Sequence, residues 1–347
     1  MPFGSDRADH VYVSGLGFVS GKDPLHFVER DLRRKASAAG FGLLLLLVLP
    51  AIILWPIEIF SSVNRAVLSM LFGREVFASV NELLRETREL TVSLLTWVIV
   101  YLVMRGSLKP PKMRPSTSVG GKRAVLCAVL IAAGTAIIGL CCTSVLREIL
   151  SWIKLLEMSP VTAMPGAPAA AAVYLVRVLL IPAIFGEVVF RGCLLQAMRR
   201  HGDSFALFLS AFCSGLIHYT LTGDLTGFLS GLVLGYFFLR TGSMKTVIFC
   251  HLLILALPML FTALNSVLPA AAYAIVWPPV MIVLLAAGLV GFVLFCRWNH
   301  NAFVLDDSRA SSLSFSKKLH ICLTGTTIFA ATLLWLIQIF RNLQVIS

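Results

Sequence analysis

Nine apolar runs of about 17 to 25 residues, the length an α-helix needs to cross the hydrocarbon of a bilayer, can be laid along this chain. They fall near 38–60, 89–105, 124–146, 175–198, 204–221, 225–240, 245–266, 271–296 and 318–340. Inside lipid every backbone N–H and C=O must be satisfied within the protein, which leaves helices as the solution for segments of this length. The expected fold class is therefore all-α, a polytopic helical membrane protein with about 8–9 transmembrane helices. Apolar residues make up 58% of the 347 positions and charged residues 13%. That balance excludes a soluble globular domain.

The formal charge is +12. In a membrane protein such an excess first reflects cytoplasmic loops rich in Lys and Arg beside an anionic leaflet, so the expected partner is the lipid bilayer and no nucleic acid. With the N-terminus inside, 20 basic residues fall on cytoplasmic segments and 7 on outer ones. This asymmetry predicts a cytoplasmic N-terminus and an outer C-terminus in a multi-pass cell membrane protein.

Residues 1–36 read as a cytoplasmic tail containing a short amphipathic helix, "KDPLHFVERDLRRK" at Lys22–Lys35, lying on the inner membrane surface. The tail lacks the apolar core and cleavage site of a signal peptide, and the chain does not end in a lipidation box. Residues 37–160 hold the N-terminal transmembrane helices and loops, 161–266 a membrane core, and 267–347 the C-terminal transmembrane helices. The Pro- and Ser-containing stretch Leu108–Arg123 reads as a flexible linker. All eight cysteines sit in apolar segments without zinc-type spacing and read as small core hydrophobes.

An ionisable side chain within a span is costly and marks a functional site by default. Glu187, Arg191, His218 and His251 meet that description. Glu187 and Arg191 are spaced i,i+4 with the acid first, so they predict an ion pair on one helix face. Pro182 removes one helical hydrogen bond just above the acid, and Gly186 and Gly192 bracket the pair, where they would let another helix approach. At 1.5 Å per residue Glu187 lies roughly 18 Å from the inner end of its helix and His218 roughly 21 Å. His251 lies only about 9 Å in, so contact with Glu187 requires tilt or a different boundary. His10, His26, His201, His300 and His320 lie in tails or at span edges, with no acid partner evident in the sequence.

One carboxylate and two imidazoles suit water activation, with the acid as base, one imidazole positioning the water and the other donating to an oxyanion. Glu187, His218 and His251 are equally a two-histidine, one-carboxylate zinc set, although no HExxH pattern accompanies them.

These residues resemble the CAAX prenyl protease and bacteriocin-processing membrane endopeptidases. The likeness rests on "GEVVFR" (Gly186–Arg191), "SGLIH" (Ser214–His218) and "HLLIL" (His251–Leu255), flanked by "FRGCLLQAMRRHGDSFALFLSA" and "FLSGLVLGYFFLRTGSM". It runs from about 172 to 258. The family pattern is Glu-Glu-x-x-x-Arg, Phe-x-x-x-His and His-x-x-x-Asn. The resemblance implies hydrolysis of a membrane-associated peptide or protein by a metallo or glutamic mechanism, with Glu187, Arg191, His218 and His251 as the site. It also implies a bacterial plasma membrane. This chain departs from the pattern at Gly186, which stands where the water-activating Glu belongs, and at Ser214 and Leu255 for the Phe and Asn. On an ideal helix neighbours differ by about 100° in direction, so Glu187 would not point where that base points. The expected function is thus a CAAX-type membrane endopeptidase with activity reduced or lost. The alternative is a non-catalytic pseudoprotease that serves as a peptide-binding, bacteriocin-immunity or scaffold protein.

Overall fold

The computed structural model describes residues 10–13, 17–20, 24–71, 74–112, 121–158, 163–299, 301–307 and 313–345. Its helices are α1 (Pro24–Leu71), α2 (Arg74–Leu108), α3 (Lys122–Trp152), α4 (Pro168–His201), α5 (Asp203–Gly215), α6 (Leu221–Thr241), α7 (Met244–Val267), α8 (Ala270–Trp298), α9 (Phe315–Leu323) and α10 (Thr326–Asn342). Two small antiparallel ribbons complete it: β1 (His10–Val13) with β2 (Gly17–Ser20), and β3 (Leu155–Glu157) with β4 (Leu343–Val345). Seven of the described helices are long and apolar enough to cross a membrane, and up to eight if α9 and α10, bent by 72°, make one span. The protein is an all-α, multi-pass membrane protein.

Three sequence expectations are corrected. The predicted fifth span, 204–221, is a 13-residue helix that stops at Gly215. The chain then unwinds over 216–220, and the "TGD" read as a turn is the first turn of α6. Physical reasons are visible for that start. The Thr220 side chain caps Gly223 N at 3.1 Å. The buried Glu157 carboxylate accepts from Leu221 N and from the Thr222 hydroxyl, placing an anion at the positive end of the helix dipole. The N-terminal segment, in turn, is not a separate surface helix. It continues into α1, with Val28, Leu32 and Ala36 buried in the main core. The linker before α3 lies largely outside the described residues.

Polar contacts gather at the two ends of the bundle. At one, the first turns of α1 meet the end of α4: Lys35 Nζ donates to Ala197 O at 2.9 Å, and Asp31 faces His201 Nε2 at 3.3 Å. Lys318 Nζ donates to His201 O at 2.7 Å, and Arg240 reaches Val304 O at 2.8 Å. At the other end Glu86 pairs with Arg177 at 2.8 Å, Glu82 accepts from Ala167 N at 3.0 Å, and β3 pairs with β4. The described chain therefore begins and ends at opposite faces.

Glycines set the closest helix crossings. A Cβ on Gly134 of α3 would stand 2.8 Å from Gly288 Cα of α8. On α6, Cβ atoms on Gly223 and Gly231 would stand 2.9 Å from His218 Cβ and 2.6 Å from Ser214 Oγ, and one on Gly227 would overlap His218 Cε1. This spacing leaves one face of α6 bare, and the His218 loop lies in that groove. Gly134→Val should therefore destabilise the bundle by about 1–3 kcal/mol through overpacking. Thermal unfolding in detergent should show a lowered Tm.

Candidate active site

Helix α4 carries the acid and is not a regular α-helix there. It is wound as π-helix over Val176–Leu180, Pro182–Gly186 and Val188–Leu195. Pro182, which has no N–H to donate, opens the second stretch. Wide winding of this kind needs outside support and occurs frequently at functional sites. Support comes from Trp97 of α2, which meets Phe190 edge-to-face at 6.3 Å.

Glu187 is fully buried. Its Oε2 lies 3.1 Å from Arg191 Nε, and its Oε1 lies 2.7 Å from His251 Nδ1 on α7. Neither contact is aligned as a hydrogen bond, so both act as electrostatic pairs. Arg191 is buried as well and donates from Nη2 to Gly231 O at 3.1 Å. The depth counted from ideal helices separated His251 from the acid, but the structure brings them into contact.

His218 sits on the loop between α5 and α6. Its Nδ1 lies 3.0 Å from Gly215 O, which makes Nδ1 the donor and leaves Nε2 unprotonated in the neutral ring. The next residue, Tyr219, has φ +60, a strained backbone for a bulky side chain. It is held on both sides: its hydroxyl donates to Leu46 O at 3.2 Å and its carbonyl accepts from Asn342 Nδ2 at 2.7 Å. Trp335 Nε1 also donates to Asp224 Oδ2 at 2.8 Å. The last helix, α10, thus clamps the loop that carries His218.

A cavity of about 460 Å³ lies between α3, α4, the His218 loop, α6 and α7. Arg191, His218 and His251 line it, as do Gly186, Ser214 and Leu255. Glu187 does not. It stands behind the wall, against the back of two lining residues, while Gly186 faces the space. A Cβ on Gly186 would meet nothing nearer than His251 Cε1 at 3.8 Å and Trp97 Cη2 at 3.9 Å, so this glycine is not a close-packing device. At Gly192 the added atom would be in ordinary contact with Met244, 3.4 Å away.

Among the described residues no three His, Cys, Asp or Glu side chains come together as a metal-binding group. Glu187, His218 and His251 therefore do not form a fitting zinc set in this arrangement. His201, expected to lack an acid, faces Asp31 at the far end of α4. The sequence reading also missed Glu86 and Asp224, the former buried within α2 and the latter half-buried in α6. Drawn at 89–105, the second span ended short of Glu86, and "TGD" looked like a turn. The signal available was the Arg177 that Glu86 pairs with, a charge with no partner inside its own helix.

Residues 168–257, which contain Gly186, Glu187, Arg191, Ser214, His218, His251 and Leu255, match the family model for type II CAAX prenyl endopeptidases of the Rce1-like kind. The chain carries an Rce1-like domain. Neither a curated protein nor a solved structure matches the chain significantly. The Rce1-like segment begins at the first residue of α4 and ends in the middle of α7, two residues after Leu255.

Removing one member of a buried pair strands the other charge. Arg191→Met should cost about 3–5 kcal/mol of stability, and Glu187→Leu with Arg191→Met should recover part of that loss. A double-mutant cycle on unfolding in detergent measures both.

Proposed function

We propose that this protein is a CAAX-type membrane endopeptidase that hydrolyses a membrane-associated peptide or protein, with His251 as the base. The observation that carries this reading is the 2.7 Å approach of Glu187 Oε1 to His251 Nδ1, because His251 borders the cavity and Glu187 does not. A carboxylate on the far side of an imidazole orients the ring and offsets the positive charge it gains on accepting a proton. His251 Nε2 takes the proton of a water, the resulting hydroxide attacks the scissile carbonyl carbon, and the same ring returns the proton to the departing amine. His218 Nε2, its tautomer set by Gly215 O, accepts the second hydrogen of that water and holds it. Of the two arginines that line this space, Arg147 and Arg191, Arg191 shares Glu187 with His251 and is the one that faces the oxyanion, since Leu255 offers no donor. Nucleophile, proton and leaving group are thus all accounted for without a carboxylate in the cavity. Orientation follows the basic residues, with the face that holds the start of α1 and the end of α4 in the cytoplasm.

A second reading is favoured by Gly186 and Leu255: the cavity binds a peptide without cutting it. The two readings separate in one comparison of membrane proteomes with and without the protein. Under the hydrolytic reading a shortened peptide is lost on deletion and on His251→Ala, with His218→Ala reducing turnover about 10²–10⁴-fold. The binding reading predicts the same peptide retained by wild type and both variants, uncut in each case.

A further inference from the structure

A second cavity, of about 240 Å³, lies against the first. Its walls come from α1, α2, α4 and the His218 loop, and the two cavities share Trp97 and Ile217 as lining residues. We propose that this second cavity is a hydrated chamber that supplies water to the histidine-lined cavity past Trp97 and Ile217.

The wall chemistry identifies water as the occupant. Glu89 and Arg177 place both signs of charge on it, and Ser93 and Thr96 complete its polar lining. Thr96 is 97% buried, and its Oγ1 has no hydrogen-bond partner among the described residues. A lipid chain in this space would leave that hydroxyl without a partner and would put the Glu89–Arg88 and Arg177–Glu86 pairs against hydrocarbon. Water satisfies donors and acceptors of either sign, and the volume holds several molecules. The chamber lies at the end of the bundle where Glu86 and Arg177 pair, and Arg177 belongs to its wall.

Geometry also gives the chamber a role. A peptide in the larger cavity would close that cavity's own route to solvent, whereas hydrolysis consumes one water per bond. Trp97 is the partition. Its ring packs on Phe190, and its Cη2 lies 3.9 Å from where a Gly186 Cβ would be. With no side chain at Gly186, nothing fills the space between that ring and His251.

The hydration stands independently of catalysis, while the supply role rests on the hydrolytic reading. Thr96→Cys is a near-isosteric probe inside the chamber, Ser93→Cys a second one in case the first fails to fold, and Leu95→Cys a control one residue away on an exposed apolar face, 43% accessible. A small membrane-impermeant methanethiosulfonate needs a thiolate and water to react. In intact membranes Thr96→Cys and Ser93→Cys should label well above the background of the native cysteines, and Leu95→Cys should not. Labelling of both chamber positions no faster than Leu95→Cys would overturn the hydrated chamber. In wild-type-like hydrolysing protein, the Thr96→Cys adduct should slow turnover severalfold with peptide affinity unchanged. Unchanged turnover would overturn the supply role. No turnover before labelling would overturn the hydrolytic reading and the supply role with it, leaving the hydration to the labelling result.

Discussion

The structure depends on one buried carboxylate. Glu187 has no access to solvent and lies in the middle of a membrane helix, a position tolerable only with opposite charge close by. Arg191 supplies it from the same helix, and His251 of α7 sets its Nδ1 against the other carboxylate oxygen. Because the two partners come from different elements, the acid fixes the spacing of α4 and α7 and aims both partners at the cavity. Arg191 adds a third attachment through Gly231 O on α6. Three helices are therefore held by charge where lipid offers no hydrophobic force to press them together.

Around that centre the rest of the chain does two jobs. Bare glycines on α6 make the groove in which His218 sits, and α10 holds its loop from the far end of the sequence through Asn342 and, at the first turn of α6, Trp335. The π-winding of α4 places Gly186 on the cavity side and Glu187 behind it. The residue that a typical member of the resembled family uses as base is absent. The carboxylate that remains, Glu187, touches the cavity only through the side chains it contacts, His251 among them.

Much of this was legible in the sequence. Apolar run length gave the helical membrane fold, and the four ionisable residues of the core stood out because charge inside a span is rare. The i,i+4 spacing gave the Glu187–Arg191 pair. What escaped reading has physical causes. Depth counted at a constant rise fails where a helix is π-wound and tilted, so the Glu187–His251 contact was not expected. A 13-residue helix followed by an unwound loop looks apolar enough to be a span, and the turn moved from 222–224 to 216–220. The contributions of Trp335, Asn342 and Trp97 join segments more than ninety residues from the ones they support, a distance over which local pattern carries no information.

The most direct test of the central claim is the nitrogen NMR spectrum of His251 in histidine-labelled protein, recorded for wild type and Glu187→Gln. A carboxylate seated at Nδ1 predicts a protonated Nδ1 and a free Nε2 in the wild-type ring, and a clear change in both resonances when the charge is removed. Identical His251 resonances in the two proteins would mean that Glu187 does not act on this ring, and the account of the site would be wrong.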